Sequence, residues 1–236
     1  MKKTSTILAI GSSLALGSAQ AEVESSFHVG YSTDYVWRGL NQGEIAGSSK
    51  EGLYEYGIDF TGDCNCGATW NAGIWRADYA LAEDEFNIYG GVSKDFGGVE
   101  LSLGLIRYIT GDSTTEISLG AGTSLGGLDV SAAIYYDVDS NDGNMWGELS
   151  VGKSYDVGGA TLDIAANIGT TLDADASVTN NPDDYVTYGI SAALSKELGD
   201  NLTGSIYIAA ETTEGRRAGD TEGDDLYGGI SLSYGF

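Results

Sequence analysis

The chain has 236 residues, including 36 Gly, one Pro, 15 Tyr and two Cys, and its 35 acidic residues against 11 basic ones give a formal net charge of −24. An acidic excess of this size argues against nucleic acid as a partner, because phosphate repels such a surface. Regular apolar spacing argues against a disordered Gly-rich chain, and beyond the N-terminus no stretch approaches the roughly 18 continuous apolar residues of a transmembrane helix.

The first 21 residues read as a Sec-type signal peptide. Lys2 and Lys3 are a basic start, Ile7 to Leu16 is a short apolar run, and Ala19-Gln20-Ala21 is a small-x-small cleavage site. An uncleaved anchor is the alternative, but the run is short for a ~30 Å hydrocarbon core and Gly11-Ser12-Ser13 breaks it. Cleavage after Ala21 leaves Glu22 to Phe236 as one domain. Both leader lysines are then lost and no acid is, so the exported part is more acidic still.

From there, alternation with period two recurs along the chain. The first strand is expected to carry Phe27, Val29, Tyr31, Thr33, Tyr35 and Trp37 on one face and His28, Gly30, Ser32, Asp34, Val36 and Arg38 on the other. Tyr54, Tyr56, Ile58 and Phe60 mark the second. Gly67 to Tyr79 forms the third, where the opposite parity of Trp70 and Trp75 predicts a bulge. Phe86 to Val92, Val99 to Leu105, Ile117 to Ala121, Leu128 to Tyr136, Leu149 to Tyr155, Leu162 to Ile168, Val186 to Leu194 and Leu202 to Ile208 follow. The twelfth ends the chain with Ile230, Leu232, Tyr234 and Phe236 alternating with Ser231, Ser233 and Gly235. An aromatic-ended strand of this kind is an assembly signal of outer-membrane barrels, and deleting Phe236 is expected to impair membrane insertion without changing selectivity.

Twelve is an even number, as a closed bacterial barrel requires. Alternate connections are tight and Gly-rich (Asp95 to Gly98, Leu125 to Gly127, Asp156 to Gly159, Gly199 to Asn201). Several of the others are long and acidic (Asn41 to Lys50, Asp173 to Asp184, Thr212 to Asp224). Short periplasmic turns and long outer loops have that rhythm. A soluble β-sandwich would alternate alike, but its solvent face would be rich in Lys and Glu. Here the polar face is mostly Gly, Ala, Ser and Thr, which suits a watery bore. The expected fold is therefore all-β: a single transmembrane antiparallel up-and-down barrel of about 12 strands in the outer membrane.

The segment Ser32-Thr33-Asp34-Tyr35-Val36-Trp37-Arg38-Gly39-Leu40-Asn41-Gln42 resembles the S-x-x-Y-x-(F/W)-R-G-(I/L)-x-Q signature of the Gcw_chp family of bacterial outer-membrane proteins. Gly73-Ile74-Trp75 and Glu85-Phe86-Asn87-Ile88-Tyr89-Gly90-Gly91 are similar to it as well. The resemblance covers about the first third of the exported chain. It implies an exported β-barrel and brings no catalytic residues with it; Cys64-Asn65-Cys66 is outside its pattern.

Few residues suggest chemistry. On a continuous strand Asp34 and Arg38 would share the luminal face near the outer mouth, either as a charged constriction or as a structural ion pair. Glu55, Asp59, Glu100, Glu116, Asp129, Glu148 and Asp163 share that side, so a conducting bore should prefer cations. Cys64 and Cys66 can close a small disulfide after export or remain as thiols. With one His and no further Cys, no metal site is expected there, and no cofactor is expected. His28 lies near Ser26 and Ser32 but toward the periplasmic rim, a poor place for an outer-leaflet hydrolase triad, so no enzyme is expected. Asp137 to Gly143 with Glu148 looks like a calcium loop, yet its glycine is one place late; Thr221 to Asp225 is similar. Arg216 and Arg217 can contact lipopolysaccharide phosphates or offset nearby acids. Tyr35, Trp37, Tyr54, Tyr56, Tyr155, Tyr234 and Phe236 are expected to form an interfacial girdle, whereas a sugar-stacking slide would need them inside.

The functional expectation is a narrow, passive, porin-like channel for small polar solutes or cations. The alternative is a non-conducting structural, adhesin or receptor barrel acting through its acidic loops. Expected partners are outer-membrane lipid, lipopolysaccharide and the barrel-assembly machinery.

Overall fold

The computed structural model describes residues 23–45, 52–64, 66–79, 84–111, 113–173, 185–215 and 224–236. The expected signal peptide, Arg216-Arg217 and residues 221–223 lie outside these. In chain order the elements are β1 (Glu24–Ser32), β2 (Val36–Trp37), β3 (Leu40–Asn41), α1 (Gln42–Ile45), β4 (Leu53–Asp63), β5 (Thr69–Tyr79), β6 (Glu85–Asp95) and β7 (Val99–Ile109). They continue with β8 (Thr114–Leu125), β9 (Leu128–Asp137), β10 (Met145–Asp156), β11 (Thr161–Asp173), β12 (Val186–Gly199), β13 (Leu202–Glu214) and β14 (Asp224–Gly235). Twelve of these strands, all but β2 and β3, form one closed antiparallel barrel, each paired with its chain neighbours.

Period-two alternation sets which side chains go where. Across the closing seam Phe27, Val29 and Tyr31 of β1 face Tyr234, Leu232 and Ile230 of β14, and the Phe236 amide donates to Ser25 O at 2.9 Å. This row is on the outside, with Ile230 58% and Leu232 45% exposed. The same holds around the wall, at Leu119 (61%), Ile190 (58%) and Ile206 (57%). Each Leu or Ile so displayed gains about 1.5–3 kcal/mol on leaving water, so the outer surface is built for hydrocarbon. Arg76, Lys94, Arg107, Lys153 and Lys196 are also on outward positions, near strand ends. Lys153 Nζ lies 5.3 Å from the Tyr155 ring centre, as expected of a snorkelling side chain at an interface.

Two expectations for the first third of the chain are corrected. β1 ends at Ser32 instead of continuing to Arg38. The chain leaves the wall at Thr33 and forms a separate hairpin, with Val36 paired to Asn41 and Trp37 to Leu40. Arg38 (φ 51°) and Gly39 (φ 70°) form its two-residue turn. Two positive φ values in succession are the mark of the turn that matches strand twist in tight hairpins. The alternation from Thr33 to Trp37 is therefore the hairpin's own. Tyr35 and Trp37 accordingly belong to the bore and not to the interfacial girdle; Tyr54 (63% exposed), Tyr56, Tyr155, Tyr234 and Phe236 are outside as expected.

The second correction is at Trp70 and Trp75. The β4–β5 register runs unbroken from Asp63↔Thr69 to Leu53↔Tyr79, without a bulge. Trp70 simply faces out and Trp75 in, where its Nε1–H donates to Glu55 Oε2 at 2.9 Å. An indole with a carboxylate acceptor is at home in a polar bore. Register shifts occur instead at Met145/Trp146 and Glu197/Gly199.

Short connections at residues 64–68, 96–98, 126–127, 157–160 and 200–201 lie at one end of the barrel, the periplasmic end by the general rule for such proteins. Cys64 and Cys66 form a disulfide within the first of them, Cα to Cα 5.2 Å. A ring this small removes little freedom from the unfolded chain, and the Cys64 amide already bonds Ala68 O at 2.8 Å. Cys64→Ser with Cys66→Ser is therefore expected to leave the barrel folded. Heat-dependent mobility in detergent gels checks this: loss of the compact form at room temperature would contradict it.

Candidate functional site

The short chain from Thr33 to Gln42 lies inside the bore. Its contacts reach strands all round the barrel, which only a segment within the lumen can do. Tyr35 Oη donates to Glu85 Oε2 on β6 at 3.1 Å. Arg38 forks onto Glu116 of β8, Nη1 to Oε1 at 2.7 Å and Nη2 to Oε2 at 2.8 Å. Thr213 Oγ1 on β13 donates to Gly39 O at 2.6 Å, and Asn41 Nδ2 donates to Asp225 Oδ1 of β14 at 3.1 Å.

Apolar packing follows the same contacts. Tyr35 packs with Leu53 and Ala77, Val36 with Ala209 and Tyr227, and Leu40 with Trp146 and Tyr185. Each buried cluster thus pairs one hairpin residue with the wall. A barrel in lipid has its large apolar face outside, so its buried contacts form where a segment enters the bore. A Cβ on Gly39 would collide with Thr187 Cγ2 and Thr213 Oγ1, so the close approach of the turn to β12 and β13 needs glycine there.

Arg38 is held on several sides. Its guanidinium carbon lies 4.3 Å from the Trp37 ring centre, 4.8 Å from Tyr135 and 5.5 Å from Trp146. Tyr108 Oη donates to Glu116 Oε2 at 3.2 Å and braces that carboxylate. The side chains of Arg38 and Glu116 are only 12% and 7% exposed. Asp34, the partner expected from sequence, accepts from Asn41 Nδ2 at 3.3 Å instead. The expected pair assumed a straight strand; the turn aims Arg38 at the opposite wall.

The remaining acids line the bore at two levels, with Asp59 between them. Toward the outer end are Glu55, bonded to Trp75, and Glu148, beside Trp146 on the inward face of β10. Asp59 lies lower, bonded to His28 Nδ1 at 3.1 Å and accepting from Tyr89 Oη. Near the periplasmic end are Glu100, Asp129 accepting from Ser124, and Asp163 accepting from Ser154. Between the levels the wall is small and polar. Ser102, Ser118, Ser131, Ser150, Ser205 and Ser231 are half-buried, so water reaches them, and hydroxyl pairs Ser131–Ser150 (2.7 Å) and Ser205–Ser231 (2.6 Å) tie adjacent strands. Among the described residues, Arg38 is the one Lys or Arg that points inward.

Ser32 Oγ bonds Tyr207 Oη, not His28. Asp137, first residue of the calcium-like loop, accepts from Thr114 Oγ1 at 2.7 and 2.6 Å and from the Asp139 amide at 2.9 Å, so it organises its own loop. Sequence reasoning did not single out Glu85, Tyr108, Tyr135, Trp146, Thr187 or Thr213. Each sits at an inward alternation position, but what sets them apart is their closeness to the in-folded hairpin: Glu85 bonds Tyr35, Tyr108 packs on Trp37, Tyr135 and Trp146 face Arg38, and Thr187 and Thr213 flank Gly39.

The protein is a closed antiparallel barrel of twelve strands, apolar outside, polar within and partly occupied by an inserted hairpin. Its fold is that of an outer-membrane porin-like barrel. An outer-membrane channel from Pseudomonas putida F1 superposes with a TM-score of 0.59 at 8% identity, over 93% of this chain and 97% of that one. The NanC porin gives 0.55 at 9% identity, over 89% and 98%. The translocator domain of the autotransporter NalP from Neisseria meningitidis gives 0.56 at 11% identity, over 92% and 89%. No protein-family model matches the sequence, and no curated relative matches it. The likeness is one of fold: a closed barrel of the kind these outer-membrane proteins have.

Proposed function

We propose that the barrel is a narrow passive channel for small polar solutes that prefers cations, with the in-folded hairpin as its constriction. The observation that carries this is the charge of the bore. Acids line both its levels, and its one described inward cation, Arg38, is already paired with Glu116. Wall acids that no inward Lys or Arg neutralises focus a negative potential through a low-dielectric wall and concentrate cations. Twelve strands enclose a bore between that of an eight-stranded barrel, which side chains fill, and the aqueous channel of sixteen. The small half-buried serines of the middle band support a wet path below the hairpin.

In this reading the Gcw_chp-like segment is the constriction itself. Lipid and lipopolysaccharide surround the belt, and the barrel-assembly machinery engages β14. A second reading, a non-conducting barrel with a resident plug, is favoured by the three packed clusters around the hairpin. Planar-bilayer recording separates the two: the channel reading expects small discrete steps from the folded wild type, and their absence would overturn it.

A further inference from the structure

We propose that the wall around Glu116 is a binding cage for small guanidinium-type organic cations, and that Arg38 occupies it as an internal ligand. The assignment rests on the cation-preferring channel proposed above, for which it names a solute class.

The cage is built almost wholly from the wall. Glu116 (β8) accepts both arms of the guanidinium, at 2.7 and 2.8 Å. Tyr108 (β7) fixes that carboxylate at 3.2 Å. Tyr135 (β9) and Trp146 (β10) present rings 4.8 and 5.5 Å from the guanidinium carbon. Only Trp37 comes from the hairpin, so everything else stays when the hairpin leaves. A forked carboxylate between aromatic faces selects a flat, weakly hydrated cation with paired N–H donors. Sodium or a tetraalkylammonium ion has no N–H to offer the fork, and an anion is repelled.

Two features set how readily the occupant is displaced, one in favour of displacement and one against it. In favour, Arg38 sits at φ 51°, where a residue with a side chain rarely rests, so the docked turn carries a local strain that is relieved when the turn unwinds. Against it, Arg38 is tethered, and a tethered group competes at an effective concentration of about millimolar or more. A free guanidinium compound therefore competes weakly with wild type and strongly with a chain that lacks the arginine. Apparent affinity falls in proportion to the fraction of vacant cages.

The test uses ethylguanidinium chloride, titrated calorimetrically into the folded full-length barrel in detergent, with sodium chloride and tetramethylammonium chloride at equal ionic strength as controls. Arg38→Asn suits a positive-φ turn and vacates the cage. It is expected to bind ethylguanidinium at least about tenfold more tightly than wild type, and adding Glu116→Gln is expected to abolish that gain. Equal affinity in the single and double variants, or equal binding of tetramethylammonium, would overturn the proposal. Should Arg38→Asn not fold, hydrogen exchange on wild type decides. Ethylguanidinium, but not the control salts, should speed exchange of the amides of residues 35–42, and unchanged exchange contradicts the cage. Neither readout needs a current. A barrel that binds but never conducts sinks the channel reading alone, and one that conducts without binding sinks the cage alone.

Discussion

Replacing Arg38 with asparagine is expected to raise single-channel conductance several-fold while leaving the barrel folded. In the docked state Arg38 and Glu116 are buried together, and removing one partner of a buried pair costs roughly 3–5 kcal/mol because the other charge stays uncompensated. That penalty falls on the docked hairpin only, since undocking lets bore water hydrate Glu116. At about 1.4 kcal/mol per tenfold, the shift amounts to roughly two to three and a half powers of ten in the docking equilibrium. The cation–π contacts with Tyr135 and Trp146 are lost as well, at about 0.5–2 kcal/mol each. Opposing this, the apolar contacts of Tyr35, Val36 and Leu40 remain. The strand ladder does not depend on the hairpin, so heat-dependent mobility should be unchanged. Bilayer recording of the variant checks the prediction, and wild-type conductance would show that Arg38 does not hold the constriction.

Gly39→Val is expected to open the same path by a different force. A side chain there meets Thr187 and Thr213 of the wall and must hold φ 70°. Strained φ and overpacking each contribute about 1–3 kcal/mol against docking. No charge changes, which makes the pair of variants informative. Both should conduct more than wild type, but Arg38→Asn should prefer cations more strongly, having lost the inward positive charge, while Gly39→Val keeps it. A Gly39→Val channel with unaltered conductance would mean that the turn does not pack as closely as its neighbours indicate.

Much of the wall was legible because one physical rule governs it: lipid outside and water inside put Leu103, Leu119 or Ile190 on one parity and Ser102, Ser118 or Ser191 on the other. The β12–β13 and β8–β9 turns were legible through glycine and chain length, and the inward acids Glu55, Asp59 and Glu116 through parity alone. What was hidden is the segment where the rule stops. Thr33 to Trp37 continues the alternation of β1 without a break, so the point where the chain turns inward leaves no mark in periodicity. The one local signal was Arg38-Gly39, a two-residue turn with an atypical first member. Its long-range partners lie 78 residues away at Glu116 and 174 away at Thr213, a separation no local pattern encodes. The two tryptophans of β5 misled for a related reason: an inward Trp looks like a register error until its carboxylate partner, Glu55, is known.

The most direct test of the account is the zero-current potential of the folded wild-type protein in a planar bilayer under a potassium chloride gradient. The acidic bore predicts small channels whose potential has the sign of a cation-preferring pore, with selectivity weakening at high salt as screening shortens the reach of the wall charges. A potential of the opposite sign, or a folded barrel that opens no steps, would contradict it.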